Sequence, residues 1–349
     1  MAQTLARTIA FCRLLFLVSL SLSSLSASNK VTCASCHREE ARTQPKTAMG
    51  VAIELPAGQA LLKEHPKLTF EAYGYKYDIE RKDAVSTYTV SDGAGSLTLP
   101  VQYAFGVYSQ TYVLEYGGRF YESLVSYYQG VGGLAITMGS ERLRPHNLVE
   151  AMGRLVSNEE IVSCFGCHSS GGTRAGKLTL DTLRPGLDCE HCHAGANAHM
   201  EAISQGKQAP LPQKLGDMAA EDMSTFCGAC HRTWSAAVRL RAWGELNVRF
   251  QPYRLANSKC FLGNDKRISC TACHDPHTDP VRDDSSYDRN CLSCHQKTSA
   301  AAAVTQKSCP VSDKNCAGCH MPRIELPGSH SVFTDHQIRI VRAGDRYPN

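Results

Sequence analysis

Between residues 70 and 128 the chain alternates apolar and polar positions with a period of two. "FEAYGYKYDIE" (70–80), "STYTVSD" (86–92), "SLTLPVQYAFG" (96–106), "QTYVLEY" (110–116) and "RFYESLVSYY" (119–128) are rich in Tyr, Val and Thr. That period and those residue types belong to strands. "SDGAGS" and "YGGR" supply hairpin turns between them. The pattern predicts a small antiparallel β module over 68–130. Its tyrosines read as packing groups and cross-strand pairs rather than redox relays.

After Pro145 the period lengthens. "NLVEAMGRLVSNEE" sets Leu148, Met152 and Leu155 on one helical face, with Asn147 as the N-cap. "DMSTFCGACH" predicts a short helix, and "RTWSAAVRLRAWGEL" (232–246) a longer one. The intervening chain reads as loop.

The loops carry a repeat. "CASCH" (33–37), "CFGCH" (164–168), "CEHCH" (189–193), "CGACH" (227–231), "CTACH" (270–274), "CLSCH" (291–295) and "CAGCH" (316–320) are one five-residue pattern seen seven times. Alone, one copy could be a zinc site, a redox-active CxxC pair or a haem attachment point. Seven copies separate these readings. Zinc would pair CxxC units into fours, and seven is odd. Zinc also needs no histidine after every second cysteine, and a disulfide framework would not hold a two-residue spacing throughout. Covalent haem needs all of it. Two thiols add to two vinyl groups at a fixed separation, and the next residue supplies imidazole to the iron.

The motifs thus assign seven covalently attached c-type haems. Their thiols are Cys33, Cys36, Cys164, Cys167, Cys189, Cys192, Cys227, Cys230, Cys270, Cys273, Cys291, Cys294, Cys316 and Cys319. Their proximal ligands are His37, His168, His193, His231, His274, His295 and His320. Porphyrin rings, rather than side chains, would then fill much of the core, which suits a loop-rich chain.

Residues 1–28 read as a secretory signal: Arg7 and Arg13, the apolar run Leu14 to Leu20, then small residues up to Ala27. Cys12 falls within it. Export to the periplasm, or another exported location, agrees with haem attachment outside the cytoplasm and permits disulfides. No later segment predicts a membrane span. The formal charge of +4 becomes +2 without Arg7 and Arg13, and haem propionates would lower it further. Nothing here points to nucleic acid. The expected partners are redox proteins. The expected segments are 29–67 with the first haem, 68–130 as the β module, and 131–349 as a six-haem domain.

"DCEHCHAGANAH", "CTACHDPH", "CLSCH" and "CAGCHMPR" followed by "GSHSVFTDHQIRI" span about 188–340. In combination they resemble the multihaem c-type cytochromes of the cytochrome c-552/4 kind. That group is related to the tetrahaem cytochrome that accepts electrons from hydroxylamine oxidoreductase. The resemblance implies an α+β chain: a mostly helical and loop multihaem cytochrome c fold with the β module inserted after the first haem motif. It also implies that a histidine shortly after a motif, here His199 or His277, binds the far face of a neighbouring haem. The resemblance does not reach the β module.

Seven histidines lie outside the proximal positions, so a second histidine for every iron is arithmetically possible. His199, His277 and His336 stand first as distal ligands, then His330 and His146, then His65, which otherwise reads as a loop histidine before Pro66. His191, inside its motif, reads as a solvated or propionate-contacting group. Met49 is an alternative axial thioether or a packed side chain. Met321 directly follows its motif and cannot easily reach the opposite face of its own haem. Cys260 and Cys309 pair as a disulfide or remain free buried thiols.

Full bis-histidine ligation would leave no open iron and make the protein an electron carrier. The alternative is a reductase with one open iron acting on nitrite, hydroxylamine or a sulfur oxyanion. The lysine-bearing motif of the multihaem nitrite reductases is absent. A haem-based sensor is a third reading, against which stands the lack of signalling domains.

Overall fold

The computed structural model describes residues 31–295 and 309–348. The expected signal at 1–28 and Cys12 lie outside the described residues. The described chain is a mixture of helices and antiparallel sheets.

Eleven strands lie between residues 53 and 155. They are β1 (Ile53–Glu54), β2 (Lys67–Ala72), β3 (Tyr75–Lys82), β4 (Val85–Ser91), β5 (Ser96–Pro100) and β6 (Tyr103–Phe105). Then come β7 (Ser109–Tyr116), β8 (Arg119–Ser123), β9 (Val125–Tyr128), β10 (Gly133–Ile136) and β11 (Gly153–Leu155). Strands β2 to β5 form a four-stranded meander, and the other seven form a second sheet. The strand region is wider than the expected 68–130, because β1, β10 and β11 pair from outside it. Two of these are three residues or shorter, too short for an alternation to be visible.

The hairpins follow their turn residues. Tyr73 and Gly74 both take positive φ between β2 and β3, as do Gly117 and Gly118 between β7 and β8. That is the two-residue hairpin geometry that matches strand twist. Between β4 and β5 the Asp92 carboxylate accepts from the Ala94 and Gly95 N–H groups.

The two sheets share one core. Tyr77, Ile79, Tyr88 and Val90 from the meander meet Tyr112, Leu114, Leu124 and Tyr127 from the second sheet. The tyrosines pack ring against ring, with Tyr77 to Tyr88 at 6.2 Å and Tyr88 to Tyr112 at 6.5 Å. Alternation along β7 turns Val113 to the opposite face. There it joins Ile53 and Phe105 against Ile161 and Phe165 of the helix Asn158–His168. Phe165 sits inside the "CFGCH" motif. Its ring meets Tyr103 at 4.9 Å and Phe105 at 5.3 Å, both edge-on. The β region therefore seats the second motif.

Two helix expectations change. Asn147 does cap its helix, accepting from the Glu150 N–H. But the helix stops at Met152, and Leu155 leaves the expected face for strand β11, where it is exposed. Gly153 explains the switch. A Cβ there would lie 2.1 Å from the Glu122 carbonyl oxygen, so only glycine allows this close strand pairing. The long helix expected over 232–246 spans only Trp234–Leu240, because Arg241 turns left-handed at φ 48°.

Beyond residue 170 apolar packing is thin. The cluster there holds only Ala237, Ala242, Phe250 and Tyr253. A buried ion pair ties the C-terminal segment down. Arg254, on the helix Gln251–Ala256, grips Asp335 through two hydrogen bonds of 2.8 Å, with neither side chain exposed. Arg254 also donates to the Pro348 carbonyl at 2.8 Å, and Arg339 joins Asp335 from the solvent side. Burial alone would raise the Asp335 carboxyl, but the Arg254 hydrogen bonds, the Gln337 N–H and Arg339 hold it below the usual range.

Breaking such a pair leaves a charge buried without its partner. Arg254→Met is expected to lower the unfolding free energy by about 3–5 kcal/mol. The guanidinium midpoint reads this; an unchanged midpoint would show that the pair does not anchor the segment.

Candidate functional site

All seven motifs sit on a helical turn. Five begin or lie within α-helix at Cys189–Cys192, Cys270–Cys273, Asp288–His295, Cys316–His320 and Ala220–His231. The second motif ends the helix Asn158–His168, and the first starts on the 3-10 turn Cys33–Ser35. Residues three apart on a helix share a face, so both thiols of a motif point the same way. The backbone repeats too: the N–H of His37, His193 and His274 bonds to the carbonyl of Cys33, Cys189 and Cys270 at 2.8, 2.8 and 2.9 Å.

Caps explain why these turns form. Ser157 and Glu160 make a reciprocal capping box before the second motif. Asp188 caps the third, accepting from the His191 N–H. Asp288 accepts from the Asn315 and Cys316 N–H groups at 2.7 Å each, joining the sixth motif's helix to the seventh.

One cavity of about 4420 Å³ connects the motifs. Single-ligand pockets take about 300–1,000 Å³, so this space suits several large groups. All seven motif histidines line it, with every motif cysteine except Cys36. The described cysteines are all unbridged. Cys260 and Cys309 therefore make no disulfide; Cys260 is half-buried and Cys309 exposed. Paired free thiols, an adjacent imidazole and connected space fit covalent haem at each motif.

The motifs touch in an order that differs from the sequence. Cys33 contacts Cys189, Cys167 contacts Cys230, Cys227 contacts Cys270, and Cys291 contacts Cys316. Cys192 lies within electrostatic reach of Cys227 and Cys230, and Cys273 within reach of Cys291. The spatial row runs first, third, fourth, fifth, sixth, seventh motif. The second motif attaches at the side of the fourth.

Six imidazoles are anchored through Nδ1. His168 bonds to the Ala52 carbonyl at 2.9 Å, His193 to Gln213 at 3.0 Å and His320 to Arg339 at 2.9 Å. His199 bonds to the Pro210 carbonyl at 2.8 Å and His336 to Thr334 at 3.0 Å. His277 instead meets the Asp275 carboxylate at 2.9 Å. These acceptors oblige Nδ1 to donate, which leaves the Nε2 lone pair free for a metal. Burial holds His168, His231 and His274 below the usual imidazole range and pushes His336 down to about 4. The neutral, metal-binding form is therefore favoured at these positions.

Two pairs of imidazoles lie close together. His193 and His277 have centroids 6.1 Å apart with parallel planes, at an angle of 0°. His274 and His336 are also 6.1 Å apart, with planes at 46°. His274 Nδ1 is buried without a hydrogen-bond partner among the described residues.

The remaining candidates divide. His191, His199 and His330 line the cavity, as do Met49 and Met321. His330 packs edge-on against Tyr128 at 4.9 Å. His65 and His146 are not in the cavity wall. His65 packs on Tyr127 and shares a 3.3 Å hydrogen bond with its hydroxyl through Nε2, the atom a metal would need. His146 is exposed beside the capped helix.

Sequence reasoning missed the carbonyl acceptors, which carry no side-chain signature. It also missed Asp275, although "CHDPH" places it between two histidines. Arg249 was missed as well. It lines the cavity, with its guanidinium 5.4 Å from the centre of the Phe333 ring. Burial, and then Arg232 nearby, hold its pKa below the usual value.

The family described as cytochrome c554 and c-prime matches residues 140–194, the stretch with the second and third motifs. A high-molecular-weight cytochrome c of Nitratidesulfovibrio vulgaris is 29% identical over 173 residues. The match covers 47% of this chain and 26% of that protein, so the chain spans about a quarter of that relative's length. No solved structure matches.

Proposed function

We propose that this chain, a multihaem c-type cytochrome by both matches, carries electrons along seven covalently bound haems to and from redox partner proteins. The observation that carries the reading is a pair of imidazoles 6.1 Å apart, found twice inside a cavity that every motif lines. A metal–imidazole bond is about 2.0 Å. Two imidazoles that close would suit a single iron held between them.

On this reading His277 would join His193 in holding the iron at the third motif, and His336 would join His274 at the fifth. His199 and His330 stand ready for neighbouring irons. His65 and His146 serve none, having respectively an engaged Nε2 and a place outside the cavity. When bound, each haem supplies a one-electron couple whose potential depends on its axial ligands, burial and hydrogen bonds.

The chain's own residues do the rest. The motif cysteines hold each group so that it cannot leave. The Nδ1 anchors fix each ring's tautomer and orientation, so little reorganises as charge changes. Arg249 offers a cation inside the cavity for a propionate. The touching thiols keep neighbouring groups close, in a row with a side branch at the fourth motif. Among the described residues no helix is long and apolar enough to cross a membrane. An exported, periplasmic site suits the covalent attachment chemistry.

Intact mass of the purified protein is expected to show seven haems. Replacing Cys291 and Cys294 with Ser should remove one. Any other count overturns the motif reading. Low-temperature EPR of the oxidised protein is expected to show low-spin iron throughout, and His336→Ala should convert one haem to high spin. A stoichiometric high-spin signal in the parent protein that moves on adding nitrite or hydroxylamine would replace the carrier with a reductase.

A further inference from the structure

Five of the six anchored imidazoles lean on neutral backbone carbonyls: those of Ala52, Gln213, Pro210, Arg339 and Thr334. His277 alone among them leans on a carboxylate, with Nδ1 2.9 Å from Asp275 Oδ1. The same oxygen accepts the His277 backbone N–H at 2.9 Å. Asp275 thus fixes both the backbone and the ring of His277.

We propose that Asp275 lowers the reduction potential at the third motif, below that of sites whose ligands lean on carbonyls. This rests on His277 joining His193 in holding the iron. The physical reason is charge. A carboxylate accepting from Nδ1 makes the imidazole a stronger donor. It also places a negative charge near the iron, which favours the oxidised state. A carbonyl does the first weakly and the second hardly at all. The Asp275 side chain is 60% exposed, so water screens part of the effect.

The position gives this tuning a role. The third motif lies between the first and the fourth in space. A low-potential site there is an uphill step for electrons passing between the first motif and the junction at the fourth. Asp275 would set how readily the first haem communicates with the others.

Asp275→Asn tests the charge alone, because an asparagine oxygen can accept from both N–H groups. The holoprotein is titrated redox-potentiometrically, with EPR as the readout. His277→Ala first identifies the low-spin signal that belongs to this site. In Asp275→Asn that signal should stay low-spin while its reduction equilibrium shifts toward the reduced form by roughly tenfold, about 59 mV for one electron. Asp275→Glu should restore part of the shift. An intact signal with an unchanged midpoint overturns the proposal and leaves the ligand assignment standing. Loss of the low-spin signal in Asp275→Asn would make Asp275 a positioning residue only, and also overturns it. If His277→Ala changes no low-spin signal, the ligand assignment fails and the proposal with it.

Discussion

Among the described residues, the part of the chain beyond residue 170 has little apolar packing of its own. Its apolar cluster comprises four residues, two of them alanine. Beside it lies a cavity that all seven motifs line. An empty space of that size forfeits the dispersion contacts that a packed interior makes. The requirement that large apolar groups fill it governs much of what surrounds it. It accounts for short helices, long loops and large apolar side chains such as Leu246 and Leu262 facing the cavity rather than one another.

The region between residues 53 and 155 meets the opposite condition. Its two sheets bury a tyrosine-rich core that needs no added group. Its contribution to the site comes through one face. Tyr103 and Phe105 take Phe165 edge-on, and the helix carrying Phe165 delivers Cys164, Cys167 and His168 to the cavity. The Ala52 carbonyl, next to strand β1, orients His168 directly. A self-sufficient β structure thus gives the second motif a rigid seat.

The C-terminal segment is held by charge. Arg254 and Asp335 meet where there is little apolar surface to do the work, and their pairing bears on two imidazoles at once. Asp335 adjoins His336, and Arg339, four residues on, offers the carbonyl that anchors His320. One buried ion pair therefore bears on the geometry at the fifth and seventh motifs together. A charged pair is directional where a few alanines would not be, which is a physical reason for finding it here.

The repeated spacing of cysteines and histidine was decisive in the sequence alone, because covalent attachment demands fixed residue types at fixed separations. The turns at Asp92–Gly95 and Gly117–Gly118 were likewise legible, since turn chemistry is local, whereas the stretch 70–80 read as one run and the hairpin at Tyr73–Gly74 that divides it was missed. The Asn147 cap was legible too. Leu155 was misread because its helical spacing was correct while Gly153 opened a closer strand contact that only the partner backbone reveals. His65 and His277 look alike in the sequence, each a histidine beside a proline. The fold gives one a tyrosine hydroxyl at Nε2 and the other a carboxylate at Nδ1, and so separates a packed side chain from a candidate ligand. The spatial order of the motifs, and which imidazoles lie close together, likewise depended on tertiary structure. Contacts between residues tens of positions apart are set by how the elements pack, and no local pattern encodes them.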